Sequence, residues 1–131
     1  MIINTEKLIK MARELKDKPY APYSKLRIIA IVVTENDKVF YGVNIENASY
    51  GLTICAERVA IFKAISEGYR KFKAILIYSP DVIPWPCGAC RQVMSEFFDP
   101  DTQIIIASDK GAGFKKELKF SELFPFPFHV D

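Results

Sequence analysis

Excess charge of either sign is missing from this 131-residue sequence: 18 lysines and arginines face 16 aspartates and glutamates, for a net charge of +2. Neither a polyanion-binding surface nor a charge-extended disordered chain is expected from that balance, so nucleic acid is not the expected partner. Long apolar runs are missing too. The longest strongly apolar stretch, Ile28 to Val33, falls far short of the roughly 20 residues a helix needs to cross a bilayer. The opening residues Met1 to Glu6 lack a charged-then-apolar signal layout, so a cytoplasmic location with no membrane partner is expected. Cysteines number only three, and an odd count in a small intracellular domain points to metal or thiol chemistry rather than to disulfides.

Half of the chain is hydrophobic, enough for one core, and residues 1–131 read as a single domain with no repeat or linker. After Thr5, the residues Leu8, Met11, Ala12 and Leu15 recur at helical spacing until Lys18-Pro19 blocks continuation. Ile28 to Val33 predicts a strand buried on both faces, Asn36-Asp37 a turn, and Val39 to Tyr41 a second strand. A buried helix is expected over residues 55–67, with Ala56, Val59, Ala60, Phe62 and Ile65 apolar and Gly68 at its stop. Ala74 to Tyr78 predicts a third strand, 80–86 a loop, and Cys87 to Phe98 a further helix. Ile104 to Ala107 predicts a fourth strand, and Lys116 to Phe120 a weaker edge strand after a glycine turn. Strands alternating with helices predict an α/β fold, a three-layer α/β/α sandwich around a mixed sheet of about five strands.

The chemistry concentrates at two helix starts. Cys55-Ala56-Glu57 opens one helix, and Pro86-Cys87-Gly88-Ala89-Cys90 opens another. Helix N-termini favour thiolate, because their free N–H groups and dipole stabilise negative charge. Cys87 and Cys90, three apart, share one helical face and can grip a single ion; Cys55 must then arrive from the other helix. Residues two apart diverge on a helix, so Cys55 and Glu57 serve one pocket only if the helix begins almost at Cys55. Three protein ligands leave a fourth tetrahedral position open, which is the arrangement of a catalytic zinc. Three thiolates outweigh the two charges of Zn2+, and Arg58 is the candidate that offsets them. A closed structural zinc would need a fourth ligand, for which the sole histidine, His129, is distant in sequence.

These residues resemble the small cytidine deaminases, with a Cys-x-Glu and Pro-Cys-x-x-Cys signature known for zinc deaminases. The similarity runs through Tyr20-Ala21-Pro22-Tyr23-Ser24, Asn44-Ile45-Glu46-Asn47-Ala48, Cys55-Ala56-Glu57-Arg58 and Pro86-Cys87-Gly88-Ala89-Cys90-Arg91-Gln92. The resemblance implies hydrolytic deamination of cytidine, with deoxycytidine as a second substrate, in pyrimidine salvage. It places Glu57 as general acid and base, moving protons from water to N3 and to the departing amino group. It also implies that Leu26 and Ala56 border the pyrimidine, and that Asn44 and Glu46 hold the sugar's hydroxyl. A carboxylate there accepts a hydroxyl's hydrogen bond but repels a phosphate, which favours a free nucleoside over a nucleotide. Cysteine rather than histidine at position 55 resembles the homotetrameric branch, in which Phe128 would reach a neighbouring subunit's site.

The chain departs from the family pattern in one segment. Members usually read Phe-x-Val-Gly-Ala-Ala where this sequence has Leu26-Arg27-Ile28-Ile29-Ala30-Ile31. Leu26 loses aromatic stacking while keeping an apolar wall, and Ile29 and Ile31 must crowd their surroundings or be absorbed by shifted helices. A different amino-heterocycle is therefore an alternative substrate, and the aromatic tail 124–128 keeps a non-enzymatic zinc-stabilised interaction module as a second alternative. Trp85 is expected to act as a loop anchor, and Lys110, Lys115, Lys116 and Lys119 as a solvated surface.

Overall fold

The computed structural model describes residues 4–130. Helix α1 (Thr5–Glu14) is capped by Asn4, whose side chain accepts the Lys7 N–H at 3.0 Å, and it buries Leu8, Ile9 and Ala12. Strands β1 (Ile29–Thr34) and β2 (Val39–Val43) follow, then α2 (Ala56–Ser66), β3 (Phe72–Ser79), α3 (Gly88–Phe97), β4 (Gln103–Ser108), β5 (Phe114–Lys119) and the short α4 (Phe120–Leu123). The strands form one sheet in the order β2-β1-β3-β4-β5. β3 and β4 run parallel, and every other neighbouring pair is antiparallel. The sheet is thus mixed and five-stranded, as the alternation of segments predicts. β5 begins two residues earlier than expected, and Lys115 and Lys119 pair with Glu6 and Asp101. Charged side chains on this edge strand discourage pairing with another chain.

Side chains alternate across the sheet and build a core on each face. On one face Ile29, Ile31, Val33, Leu76 and Ile105 pack with Leu8, Ile9 and Ala12 of α1. On the other, Ala30, Val32, Ile75, Ile77, Ile104 and Ile106 pack with α2, α3 and α4. Ile29 and Ile31 therefore lie under α1, on the face away from both helix starts that carry cysteine. Their bulk is absorbed there beside the small Ala12, so neither narrows the space around the sulfurs.

α2 sits unusually low on the sheet. Ala56, Ala60 and Ala64 line its buried side, and in the β1–β2 register Ala30 lies opposite Gly42. A Cβ placed on Gly42 would stand 2.4 Å from both the Ala56 carbonyl oxygen and the Ala60 nitrogen. Only glycine permits that approach of strand to helix backbone. The opposite side of α2 is open: Phe62, expected to be buried, is 45% exposed, because the helical turn carries it away from the sheet-facing alanines.

α1 is fastened at its C-terminal end by Arg13, which donates to Asp109 from Nε at 3.0 Å and from Nη2 at 2.8 Å. Tyr78, from the sheet, donates its hydroxyl to the same carboxylate. The Arg13 bonds hold Asp109 below the usual carboxylate range, while burial and then the Asp109 bond push Tyr78 up to about 12. No helix among the described residues is long and apolar enough to cross a membrane.

Two outcomes follow from these contacts. Gly42→Ala must lift the first turns of α2 and should destabilise the fold by about 1–3 kcal/mol, read as a lower urea midpoint. In the Arg13–Asp109–Tyr78 cluster, the depressed Asp109 contributes stability that is lost as pH falls below about 4, its unfolded value. The raised Tyr78 contributes stability that is lost as pH rises above about 10. Urea midpoints against pH should show both limbs, with Asp109→Asn flattening the acid one; an unchanged acid limb would refute the assignment.

Candidate active site

Two loops deliver the starts of α2 and α3 to one place. Cys55 is the N-cap of α2 and Cys87 the N-cap of α3, both in extended backbone conformation. Because α2 begins at Ala56, Cys55 and Glu57 both project from the helix rim, which is the condition the two-residue spacing imposes. Cys90, in the first turn of α3, is fully buried. The Cys55 and Cys87 sulfurs lie 3.8 Å apart and those of Cys87 and Cys90 3.6 Å apart, and the three Sγ atoms lie within 4.8 Å of one another. Thiolates at zinc–sulfur distance in a tetrahedral set stand about 3.8 Å apart. The trio therefore fits Zn2+, with Cys55, Cys87 and Cys90 as its ligands, and all three cysteines are free of disulfides. His129 belongs instead to a surface hollow formed with the tail residues 124–127.

Electrostatics around the trio are uneven. Hydrogen bonding from Cys90, then from Arg58 and Cys87, holds Cys55 down to about 5 against its burial. Cys90 goes the other way, contrary to the simple helix-start expectation: its bond to Cys55, its burial and the Glu57 charge all push its thiol up. A divalent cation reverses that preference. Arg58 donates from Nη2 to the Cys55 sulfur at 3.3 Å, and its Nε is buried with no hydrogen-bond partner. A partly desolvated guanidinium therefore faces the Cys55 sulfur directly. Glu57 is only 4% exposed. Burial pushes its carboxyl up to about 7, with the Cys55 charge adding to the rise and its own N–H and Arg58 opposing it.

A cavity of about 210 Å3 opens beside this cluster. Leu26, Asn44, Ala56 and Glu57 line it, together with Cys55 and Cys87. Sequence reasoning did not single out Ser24, Ile28, Thr53, Ile54 or Pro84, which also line it, and it preferred a loop anchor for Trp85. Trp85 both makes an edge contact with Phe114, ring centroids 6.2 Å apart, and faces the cavity. Its position two residues before Cys87 is the signal that could have found it. Ser24 and Thr53 also line an adjoining hollow of about 380 Å3, shared with Tyr23, Glu46, Asn47 and Tyr50.

Asn44 and Glu46 both reach this cleft, yet each is already engaged. Asn44 accepts the Ile28 N–H at 2.9 Å and donates to the Leu26 carbonyl at 2.8 Å, which fixes the segment bearing Leu26. Glu46 accepts the N–H groups of Tyr23 and Ser24 at 3.0 and 3.1 Å and the Ser24 hydroxyl. Those bonds, the Ser24 hydroxyl first, hold its carboxyl below the usual range. Phe128 lines neither hollow; it is 70% exposed and its carbonyl accepts from Gln92.

The chain matches the family model described as the cytidine and deoxycytidylate deaminase zinc-binding region, over residues 3–106. A cytidine deaminase from Halalkalibacterium halodurans is 43% identical over 130 residues, covering 98% of this chain and 97% of that one. A probable cytidine deaminase from Dictyostelium discoideum is 52% identical over 96 residues, covering 72% and 65% of the two chains. The crystal structure of the cytidine deaminase from Burkholderia pseudomallei superimposes with a TM-score of 0.88 at 40% identity, over 96% of this chain and all of that one.

Zinc content tests the sulfur trio. Cys90→Ser should abolish stoichiometric zinc in the purified protein, whereas Arg58→Gln should keep the metal but release it to a competing chelator about tenfold more readily.

Proposed function

Because this chain belongs to the cytidine and deoxycytidylate deaminase family, we propose the following residue roles for its reaction, the zinc-dependent hydrolytic deamination of cytidine. Cys55, Cys87 and Cys90 hold the metal. When bound, zinc supplies Lewis-acid activation of the attacking water. Glu57 takes one proton from that water and hands it to N3 as the oxygen attacks C4, then takes the second from the resulting C4 hydroxyl and gives it to the amino group, which leaves as ammonia while the C4 carbonyl forms. A nearly buried carboxyl on the helix rim is suited to this shuttle, because the same group both accepts and donates inside a water-poor cavity. Arg58 offsets the negative charge of the thiolates, which would otherwise hinder proton loss from the water. The observation that carries this reading is a trio of sulfurs within 4.8 Å of one another, two of which, Cys55 and Cys87, line one cavity with the buried Glu57 carboxyl.

Leu26 and Ala56 border the base, and Asn44 and Glu46 bind the sugar. Among the described residues lining the hollow around Glu46 there is one carboxylate and no cationic side chain. That charge supports a free nucleoside, cytidine or deoxycytidine, over a phosphorylated one. The same proposal takes residues 1–131 as one catalytic unit that assembles as a homotetramer. Tyr50, Leu52, Phe62 and Phe126 are large side chains left exposed for such contacts, and Phe128 then completes a neighbour's site. Three reduced thiols suit the cytoplasm.

Glu57→Gln should keep one zinc per chain while lowering kcat for cytidine at least about a hundredfold, followed by loss of aminopyrimidine absorbance. An inert unsubstituted zinc-loaded protein would overturn the reading. Cytidine 5′-monophosphate should be a far poorer substrate than cytidine, and Glu46→Gln should narrow that gap.

A further inference from the structure

We propose that Trp85 supplies the flat apolar face on which the nucleobase lies, and so governs base affinity in this chain; this rests on the deaminase reading above. Among the described residues lining the cavity beside the sulfur trio, Trp85 carries the sole aromatic ring. Leu26 and Ile28 are aliphatic and offer packing area without a π-face. The reacting carbon of the base must come close to the metal ligands, and Trp85 stands two residues before Cys87, so a base positioned for attack lies next to the indole. A pyrimidine is planar with two apolar faces, and indole is the largest side-chain surface that matches it.

The ring is held for this task. It packs with Phe114 of β5 in a T-shaped pair, ring centroids 6.2 Å apart and planes at 68°, and its backbone N–H binds the Ile83 carbonyl at 3.0 Å. Even so, 46% of the residue is exposed, leaving indole surface free. The loop that carries it is clipped to the segment bearing Leu26 and Ile28. Arg27 donates to Asp81 from its backbone N–H and Nε, both at 3.0 Å, and from Nη2 at 2.9 Å. Two cavity walls from distant parts of the chain are thereby kept in register, which pre-organises a slot for a planar ring.

Trp85 is the only tryptophan, so its emission reports on the slot directly. Cytidine titrated into zinc-loaded Glu57→Gln protein should change that emission saturably. Trp85→Ala should raise KM for cytidine on the order of tenfold, with kcat within about twofold, and Trp85→Phe should recover most of the loss. An unchanged KM in a zinc-loaded Trp85→Ala protein, or emission indifferent to cytidine in a protein whose unsubstituted form turns it over, would overturn the proposal. Lack of turnover by the unsubstituted protein would instead overturn the deaminase reading, and the emission titration would then decide the role of Trp85 separately.

Discussion

Three sulfurs confined within 4.8 Å of one another repel as thiolates, and the working end of the fold is organised by what contains that repulsion. Two helices point their N-termini at the sulfurs, so backbone N–H groups and both dipoles face the negative charge. Arg58 adds a full positive charge against Cys55, and a divalent cation supplies the rest. Each of these compensations depends on where the start of α2 is held. Its seat is therefore as consequential as its residues, and that seat depends on Gly42 having no side chain where the Ala56 carbonyl and the Ala60 nitrogen press against it.

The substrate side obeys a different constraint. Its walls come from segments far apart in sequence, and irregular backbone holds a shape only when its polar groups are satisfied. Asn44 ties down Leu26 and Ile28, Glu46 ties down Tyr23 and Ser24, and Asp81 ties Arg27 to the loop before Cys87. Polar residues that resemble substrate-binding groups are here also the fasteners of the cavity wall. An amide or carboxylate has more hydrogen-bonding capacity than the loop consumes, so Asn44 and Glu46 fasten the wall with capacity to spare.

Much of the site was legible because its spacing is local. A cysteine capping a helix with Glu57 two residues on, and a pair of cysteines three apart, define geometry within single turns, and the structure places all four in one cluster. The five-stranded mixed sheet was legible for a similar reason, since β-branched runs and helical periodicity are properties of short windows. Where reading failed, the deciding partner lay elsewhere. Ile29 and Ile31 threatened the substrate space only until their face of β1 was known to pack on α1. Phe62 was expected in the core, yet its helix face has no covering layer among the described residues. Trp85 does anchor its loop against Phe114, but that it also lines the cavity beside Cys87 depends on contacts between segments that sequence does not place.

From sequence alone came the spacing of the three cysteines that the structure clusters, Glu57 and Arg58 beside Cys55, and the order of strands and helices. Each of these is set by periodicity and chemistry within a few residues. Tertiary structure alone decided how deeply α2 sinks over Gly42, that Ile29 and Ile31 of β1 pack under α1, and that Trp85 joins Cys55 and Cys87 in lining one cavity. Those depend on contacts between segments separated by tens of residues, where the energy of close packing, rather than any local preference, selects the arrangement.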